Sequence, residues 1–459
     1  AGRAAFGEPE ILVVVDALEK QLQTAGGART VALVLEAGGL AADGAAAGSW
    51  SRLSGALDVG PMEAVHRLLG SRVVVVFPRV GLPMPDEWVV ATRVSRGDAN
   101  RLLKGVDAVH RGVLAGATVF SIERGAYQLC VVKGADAGRV LVLGPGSGNG
   151  LFADAVRGLQ GDAGRAWFAS DWPAADGEGA NGGVLVRVNS VGGPSLAYGR
   201  PTDTGWAGIA IGPSDLPADT PTWAPADARA VIDGASLGMV GSIDAASLGS
   251  SPLAPFIGLN RAAAESVLGE QTRRGVVRVD AKSDDRADVS IVLECEPGRA
   301  VETDALMQML IGVVTGQARE APGFQGRHPS AARTARLTAG FSDELGRLVL
   351  GDEPRVSWLS SSHDGGGPGL LAVRLGSGEG GIDALNQPLQ GMREAGPGAL
   401  VSGGRIEPGP IAGMVERAAG LERPVLQWAH GVESIVWQTG RAGEDHVKAA
   451  FDIVLRPVE

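Results

Sequence analysis

A glycine-rich heptapeptide, Gly144–Gly150, is the segment whose residue types come nearest to a recognisable chemistry. It lies between a predicted strand and a predicted helix, where backbone N–H groups and a helix N-terminus can bind an anion. A P-loop would need Lys-Ser or Lys-Thr after the last glycine, but Leu151 and Phe152 follow, and a dinucleotide fingerprint would need a glycine in place of Asn149. The alternative is an ordinary turn that caps the following helix. The candidate site for a small anion or a nucleotide consists of Gly146, Ser147, Gly148, Asn149 and Gly150.

Three aspartates around a predicted hairpin turn offer oxygen ligands of the kind that Ca²⁺ prefers. They are Asp284, Asp285 and Asp288. Their spacing matches neither an EF-hand nor a glycine-rich calcium repeat, so an ordinary charged turn is the competing interpretation. The six histidines form neither a His-x-His pair nor a His-Glu-x-x-His helix. We therefore expect no resident cofactor, and the three aspartates are the candidate metal ligands.

Nucleophilic catalysis has no convincing set of residues in this sequence. Ser360–Asp364 contains serine, histidine and aspartate, but neighbours on an extended chain point in opposite directions, so we predict a polar surface loop there. The Gly-x-Ser-x-Gly elbow of serine hydrolases does not occur. We expect a non-catalytic protein and name no catalytic residue, while a hydrolase with dispersed active-site residues stays open as the alternative.

Composition and charge exclude some classes of partner. The 459 residues hold 41 basic and 52 acidic side chains, a net charge of −11, which argues against nucleic-acid binding. No apolar run approaches the roughly 18 residues of a transmembrane helix. Cys130 and Cys295 both fall in apolar strand patterns, which favours two buried thiols over a disulfide.

The positions of the elements predict an α+β fold of mostly antiparallel sheets covered by helices. A hairpin followed or preceded by a helix recurs at Val119, Val276 and Val432, which indicates either repeated hairpin-plus-helix units or convergent design. Helical spacing is predicted over Asp98–Val109. The expected division is an N-terminal α+β domain, a linker-like segment with short strands, a middle α+β unit and a C-terminal α+β unit, at residues 1–160, 161–227, 228–330 and 331–459.

Four segments of the chain resemble uncharacterised exported proteins of GC-rich, planctomycete-type bacteria. They are Glu10–Asp16, Leu35–Leu40, Leu68–Val76 and Val432–Trp437. The resemblance covers residues 1–160 and the last 40 residues, and it implies export and no particular activity. The small-residue start at Ala1 is what signal-peptide cleavage leaves behind, so we expect a periplasmic or extracellular protein, with a cytoplasmic one as the alternative.

The expected role is binding or assembly at the cell envelope, through a protein partner or self-association. The alternatives are the dispersed-site hydrolase and the small-anion or nucleotide binder that uses Gly144–Gly150.

Overall fold

The chain folds into two compact units in a computed structural model. The first unit comprises Ala1–Ser214 and Ala450–Glu459, and the second comprises Asp215–Ala449. The four predicted segments stay a prediction. The structure describes residues 11–16, 21, 24–27, 29, 54–69, 72–78, 88–106, 108–133, 138–146, 150–162, 164, 183–190, 193–214, 216–243, 273–281, 287–295, 330–338, 341–350, 353–363, 368–376, 383–418, 427–443 and 445–456.

The described part of the first unit before residue 214 contains ten strands, three α-helices whose bounds are described, and a short 3-10 helix at Glu123–Gly125. The strands are β1 Ile11–Asp16, β2 Arg72–Phe77, β3 Val89–Val94, β4 Val109–Leu114, β5 Ala117–Ile122, β6 Tyr127–Lys133, β7 Arg139–Pro145, β8 Gly183–Ser190, β9 Gly193–Pro201 and β10 Gly205–Pro213. The helices are α1 Pro61–Leu69, α2 Arg96–Gly105 and α3 Gly150–Gln160. Antiparallel pairing gives the strand order β4-β5-β6-β7-β3-β2-β1-β8-β9-β10.

Both faces of the first sheet bury apolar side chains. Val140 and Val142 pack with Phe152 and other residues of α3, whereas Leu141 between them belongs to a cluster with Leu68 of α1 and residues of α2. Because side chains alternate along a strand, these two clusters lie on opposite faces. Local sequence fixes the helices too: Ser95 caps α2, and its hydroxyl oxygen accepts the N–H of Asp98 at 3.0 Å.

The second unit is also built from antiparallel strands and α-helices. Its strands are β11 Leu237–Ile243, β12 Arg273–Ala281, β13 Ala287–Cys295, β14 Ser330–Thr338, β15 Phe341–Leu350, β16 Glu353–His363, β17 Gly369–Leu375, β18 Leu400–Ile406, β19 Val432–Arg441 and the first residues of β20 His446–Leu455. Its helices are α4 Pro225–Ile232, α5 Asp383–Glu394, α6 Pro408–Ala418 and α7 Gln427–His430. The order is β14-β15-β16-β17-β13-β12-β11-β18-β19, again antiparallel, and β19 also pairs with β20.

The two units share one strand order. Numbered from one to ten within each unit, the strands run 4-5-6-7-3-2-1-8-9-10 in both, with β20 as the tenth strand of the second set. A helix follows the seventh strand in both, α3 in the first unit and α5 in the second. The fourth strand of each unit, β4 or β14, is therefore the terminal strand at one end of this order. The three hairpins at Val119, Val276 and Val432 hold different places in this order, and the hairpin-plus-helix repeat stays a prediction.

The predicted α+β class is wrong. The structure describes twenty strands and seven α-helices. Of the described residues, 55% are in strands and 28% are in helices. Each pairing whose register is described is antiparallel. The fold is therefore dominated by extended antiparallel sheet, and the helices are additions to it rather than a layer of equal weight. The excess strand comes largely from glycine-containing segments that carry little strand signal in the sequence.

Burial of both cysteines gives a prediction about labelling. The two thiols are free and buried, and loss of solvation raises the pKa of each from 9.0 to about 12. We expect a disulfide-exchange reagent at pH 8 to label neither thiol in the folded protein and both after denaturation in urea. Rapid labelling of the native protein would contradict this.

The same shift fixes the sign of the pH dependence. As the pH rises, the thiols of the unfolded chain lose their protons before those of the folded protein. The unfolding free energy is therefore unaffected by these thiols below about pH 9 and decreases as the pH rises from 9 toward 12. Replacing Cys130 by alanine should reduce the slope of the unfolding free energy over that range.

Candidate interaction edge of the first unit

The described part of the predicted anion loop is occupied by contacts within the chain. The N–H of Gly146 donates to the carbonyl oxygen of Ala126 at 2.8 Å, and its carbonyl oxygen accepts from Arg111 Nη1 at 3.3 Å. A Cβ at position 146 would lie 1.7 Å from the carbonyl oxygen of Gly125. Gly150 is the first residue of α3, and Ser147, Gly148 and Asn149 lie outside the described residues. Gly146 thus serves as a point of close backbone packing between two turns.

Asp288, the one described member of the predicted metal site, forms a buried ion pair. Its Oδ2 accepts from Arg374 Nη2 at 2.7 Å, with 4% and 8% of the two side chains exposed. Asp284 and Asp285 lie outside the described residues. Within the part of the chain that the structure describes, no three histidine, cysteine or acidic side chains are grouped so that they could hold a metal ion. The Asp288 carboxylate is therefore used to neutralise an arginine.

The serine-rich segment is a strand and not the loop that we predicted. Ser360–His363 form the end of β16, paired with β15 through Phe341↔His363, and Asp364 lies outside the described residues. Ser361 is buried, and its hydroxyl accepts from Arg393 Nη2 at 2.8 Å. A different histidine, His430, lies with Nε2 3.0 Å from Glu416 Oε2 and links α7 to α6.

The most exposed apolar side chains of the described residues lie on β4. Val109 is 65% exposed and Val113 is 68% exposed, more than the other large apolar residues that are open to solvent. Among the described residues β4 pairs with β5 alone, so its other side presents backbone N–H and C=O groups that no described strand takes up. This outer side of Val109–Leu114 is called the β4 edge below.

A tight turn and a bulge shape the β4 edge. The turn between β4 and β5 consists of Ala115 and Gly116, with φ of 47° and 83°, the geometry of a type I′ hairpin. The register with β5 shifts between His110 and Gly112, so Arg111 is the extra residue of a β-bulge. The bulge shifts the alternation of side chains by one residue, so Val109, opposite Ser121, and Val113, opposite Thr118, lie on opposite faces of the sheet.

The turn yields a prediction about stability. Ala115 is exposed and adopts a left-handed conformation that costs an L-residue about 1–2 kcal/mol. Replacing Ala115 by glycine removes this strain and adds some unfolded-state entropy, so we expect the first unit to gain about 0.5–1 kcal/mol in urea unfolding. Replacement by valine should lower stability, and a gain with valine would contradict the described turn.

Two side chains of the β4 edge are held by neighbours. The Arg111 guanidinium lies between the loop carbonyl of Gly146 and the β5–β6 turn, where a Cβ on Gly125 would be 3.2 Å from Nη2. His110 stacks edge-on against Phe120, with ring centroids 6.3 Å apart and an angle of 87°. The edge is thus anchored at its middle while both valines remain open.

Comparisons with known proteins leave the site to be interpreted from its own geometry. No family model, curated protein or solved structure matches the chain. Among the described residues no helix combines the length and the apolar character needed to cross a bilayer.

Proposed function

We propose that this protein is a non-catalytic binding or assembly module that takes up an extended segment of a partner at the β4 edge. The supporting observation is the combination of Val109 and Val113, both largely exposed, with a terminal strand that pairs on one side within the described residues. An added strand would gain main-chain hydrogen bonds from the edge and apolar contacts from the valines.

The scaffold supports such a role because the edge is held on a well-packed sheet. β4 is continuous with β5, β6 and β7, whose inward side chains include the fully buried Cys130, Val132 and Val142. A rigid edge loses little conformational entropy when a partner binds, which favours affinity. The proposed place of action is the cell envelope, and this part of the proposal rests on the resemblance to exported proteins alone.

Site-specific photo-crosslinking in the producing cells tests the proposed function. A photoreactive phenylalanine analogue at Val113 should give a discrete higher-mass adduct after irradiation. The matched control carries the analogue at Leu196, which is 44% exposed on β9, and should give little or no such adduct. Equal adducts from both positions, or none from position 113, would overturn the proposal.

A further inference from the structure

The shared strand order gives each strand position of one unit a counterpart in the other. Val14 and Val74 pair across the first two strands of the first unit, and Val240 and Val276 pair across the first two strands of the second. Each pair lies in the core cluster that also contains the helix after the seventh strand of its unit. If Val14 corresponds to Val240, the registers between neighbouring strands assign the remaining counterparts without reference to residue type.

The sequences that follow the seventh strands match under this correspondence. The registers through the second and third strands of each unit make Val142 of β7 and Ala372 of β17 counterparts. Counted on from these two residues, positions 146–150 read Gly-Ser-Gly-Asn-Gly and positions 376–380 read Gly-Ser-Gly-Glu-Gly. Four of these five aligned positions hold the same residue, which a shared topology does not by itself require.

Two arginines of the first unit also have arginine counterparts that make the same kind of contact. Arg187 donates to the side-chain oxygen two residues further along β8 at 3.1 Å, and its counterpart Arg405 does so on β18 at 2.9 Å. Arg72 and its counterpart Arg274 each form an ion pair with a carboxylate of a neighbouring strand, at 2.9 Å and 2.6 Å. The two units therefore agree in residues and contacts as well as in strand order.

Resting on the proposed function, we infer that the second unit is a copy of the first and that its terminal strand β14 is a second binding edge for the same partner segment. Among the described residues β14 pairs with β15 alone, as β4 pairs with β5 alone. An added strand can therefore bond to main-chain groups at both terminal strands. One protein chain thus binds two copies of the segment.

The registers identify the positions of β14 that correspond to the exposed valines of β4. Followed from the seventh strand through the sixth and fifth, they make Ala335 the counterpart of Val113 and Ala332 the counterpart of Val109. Both counterparts are apolar residues, and their register positions belong to opposite faces of the sheet, as those of the valines do. Because alanine offers less apolar surface than valine, we expect β14 to be the weaker of the two edges.

Photo-crosslinking at a second position of the full chain tests the inference. A photoreactive phenylalanine analogue at Ala335 should crosslink to the same segment of the same protein as the analogue at Val113, which mass spectrometry of the digested adducts would identify. The matched control carries the analogue at Met239, which is 40% exposed on β11, a strand that pairs on both sides. We expect at least about five-fold more adduct at position 335 than at position 239.

A doubly substituted chain measures how many segments are bound. With the analogue at both Val113 and Ala335, irradiation should give molecules that are crosslinked at both positions at once, detected as two partner peptides attached to one chain. An analogue at Ala332 is the second variant if the first substitution disturbs the strand. Circular dichroism of each variant should match that of the unsubstituted chain.

The outcomes separate the inference from the proposed function. An adduct at position 113 without one at position 335 or 332, or with a different protein there, would overturn the second edge and leave the proposed function standing. Adducts at the two positions that never occur on the same chain would also overturn it, because the inference requires two segments bound together. No adduct at position 113 would overturn both.

Discussion

Replacing Arg374 by methionine should lower the unfolding free energy of the second unit by about 3–5 kcal/mol. Arg374 on β17 and Asp288 on β13 are 86 residues apart in sequence and joined at 2.7 Å, with both side chains more than nine-tenths buried. Removing the guanidinium takes away the cation that lies 2.7 Å from the buried Asp288 carboxylate, and a buried charge is costly when such compensation is lost. Hydrogen exchange of the backbone amides of β13 and β17, measured at increasing urea concentration, gives the unfolding free energy of the second unit.

The double variant separates the charge from the packing. Arg374→Met combined with Asp288→Leu removes both charges, and we expect it to recover most of the loss, since apolar pairs often replace buried ion pairs without penalty. If the single variant lost less than about 1 kcal/mol, the range typical of exposed pairs, the described burial of this ion pair would be wrong.

Replacing Trp358 by alanine should cost the second unit about 3–5 kcal/mol. Trp358 on β16 is fully buried, with no exposed side-chain surface, and pairs across the sheet with Val373 of β17. Truncation removes a large apolar contact and leaves a cavity that the sheet backbone cannot fill. The same hydrogen-exchange measurement in urea quantifies the loss.

Phenylalanine at position 358 is the informative comparison. The indole Nε1 of Trp358 is buried and has no hydrogen-bond partner among the described residues. Trp358→Phe keeps most of the apolar volume and removes this unsatisfied donor, so we expect a loss below about 1.5 kcal/mol. A loss with phenylalanine as large as that with alanine would mean that the indole N–H is in fact satisfied.

Strands rich in β-branched residues could be predicted from the sequence, whereas some strands with glycine in their interior, such as β11 and β18, could not. Arg72–Phe77 shows its strand character directly, but β11 and β18 each contain two glycines, which indicate a break in a strand pattern. The structure gives some of these glycines a packing role. A Cβ on Gly404 would lie 2.2 Å from the Trp437 ring, so the glycine makes room for an aromatic side chain on the next strand.

The β4 edge was missed for a related reason. The predicted helix over Asp98–Val109 is too long, because α2 ends at Gly105 and Val109 already belongs to β4. The sequence of β4 places Arg111 and Gly112 in its middle, which hides the strand. The signal that could have found it is the Ala115-Gly116 pair before the apolar run of β5, since two residues between strands predict a tight hairpin.

The ion-pair partner of Asp288 could not be predicted from the spacing of residues in the sequence. An acidic cluster beside a predicted turn indicates exposed oxygen ligands, but Asp288 lies inside β13 and is buried against an arginine from a strand 86 residues later. The pairing of β13 with β17 across intervening strands is a property of the topology. Local sequence gives the residue type, and only the strand order gives its partner.

Hydrogen–deuterium exchange of residues 109–114 tests the central claim most directly. In the free protein about half of these amides should exchange within seconds, because alternate amides of an antiparallel edge strand point away from its single partner. Addition of a partner that crosslinks at position 113 should slow exchange in this segment at least ten-fold and leave β9 and β10 unchanged. Binding without protection of residues 109–114, or with equal protection elsewhere, would contradict strand addition at the β4 edge.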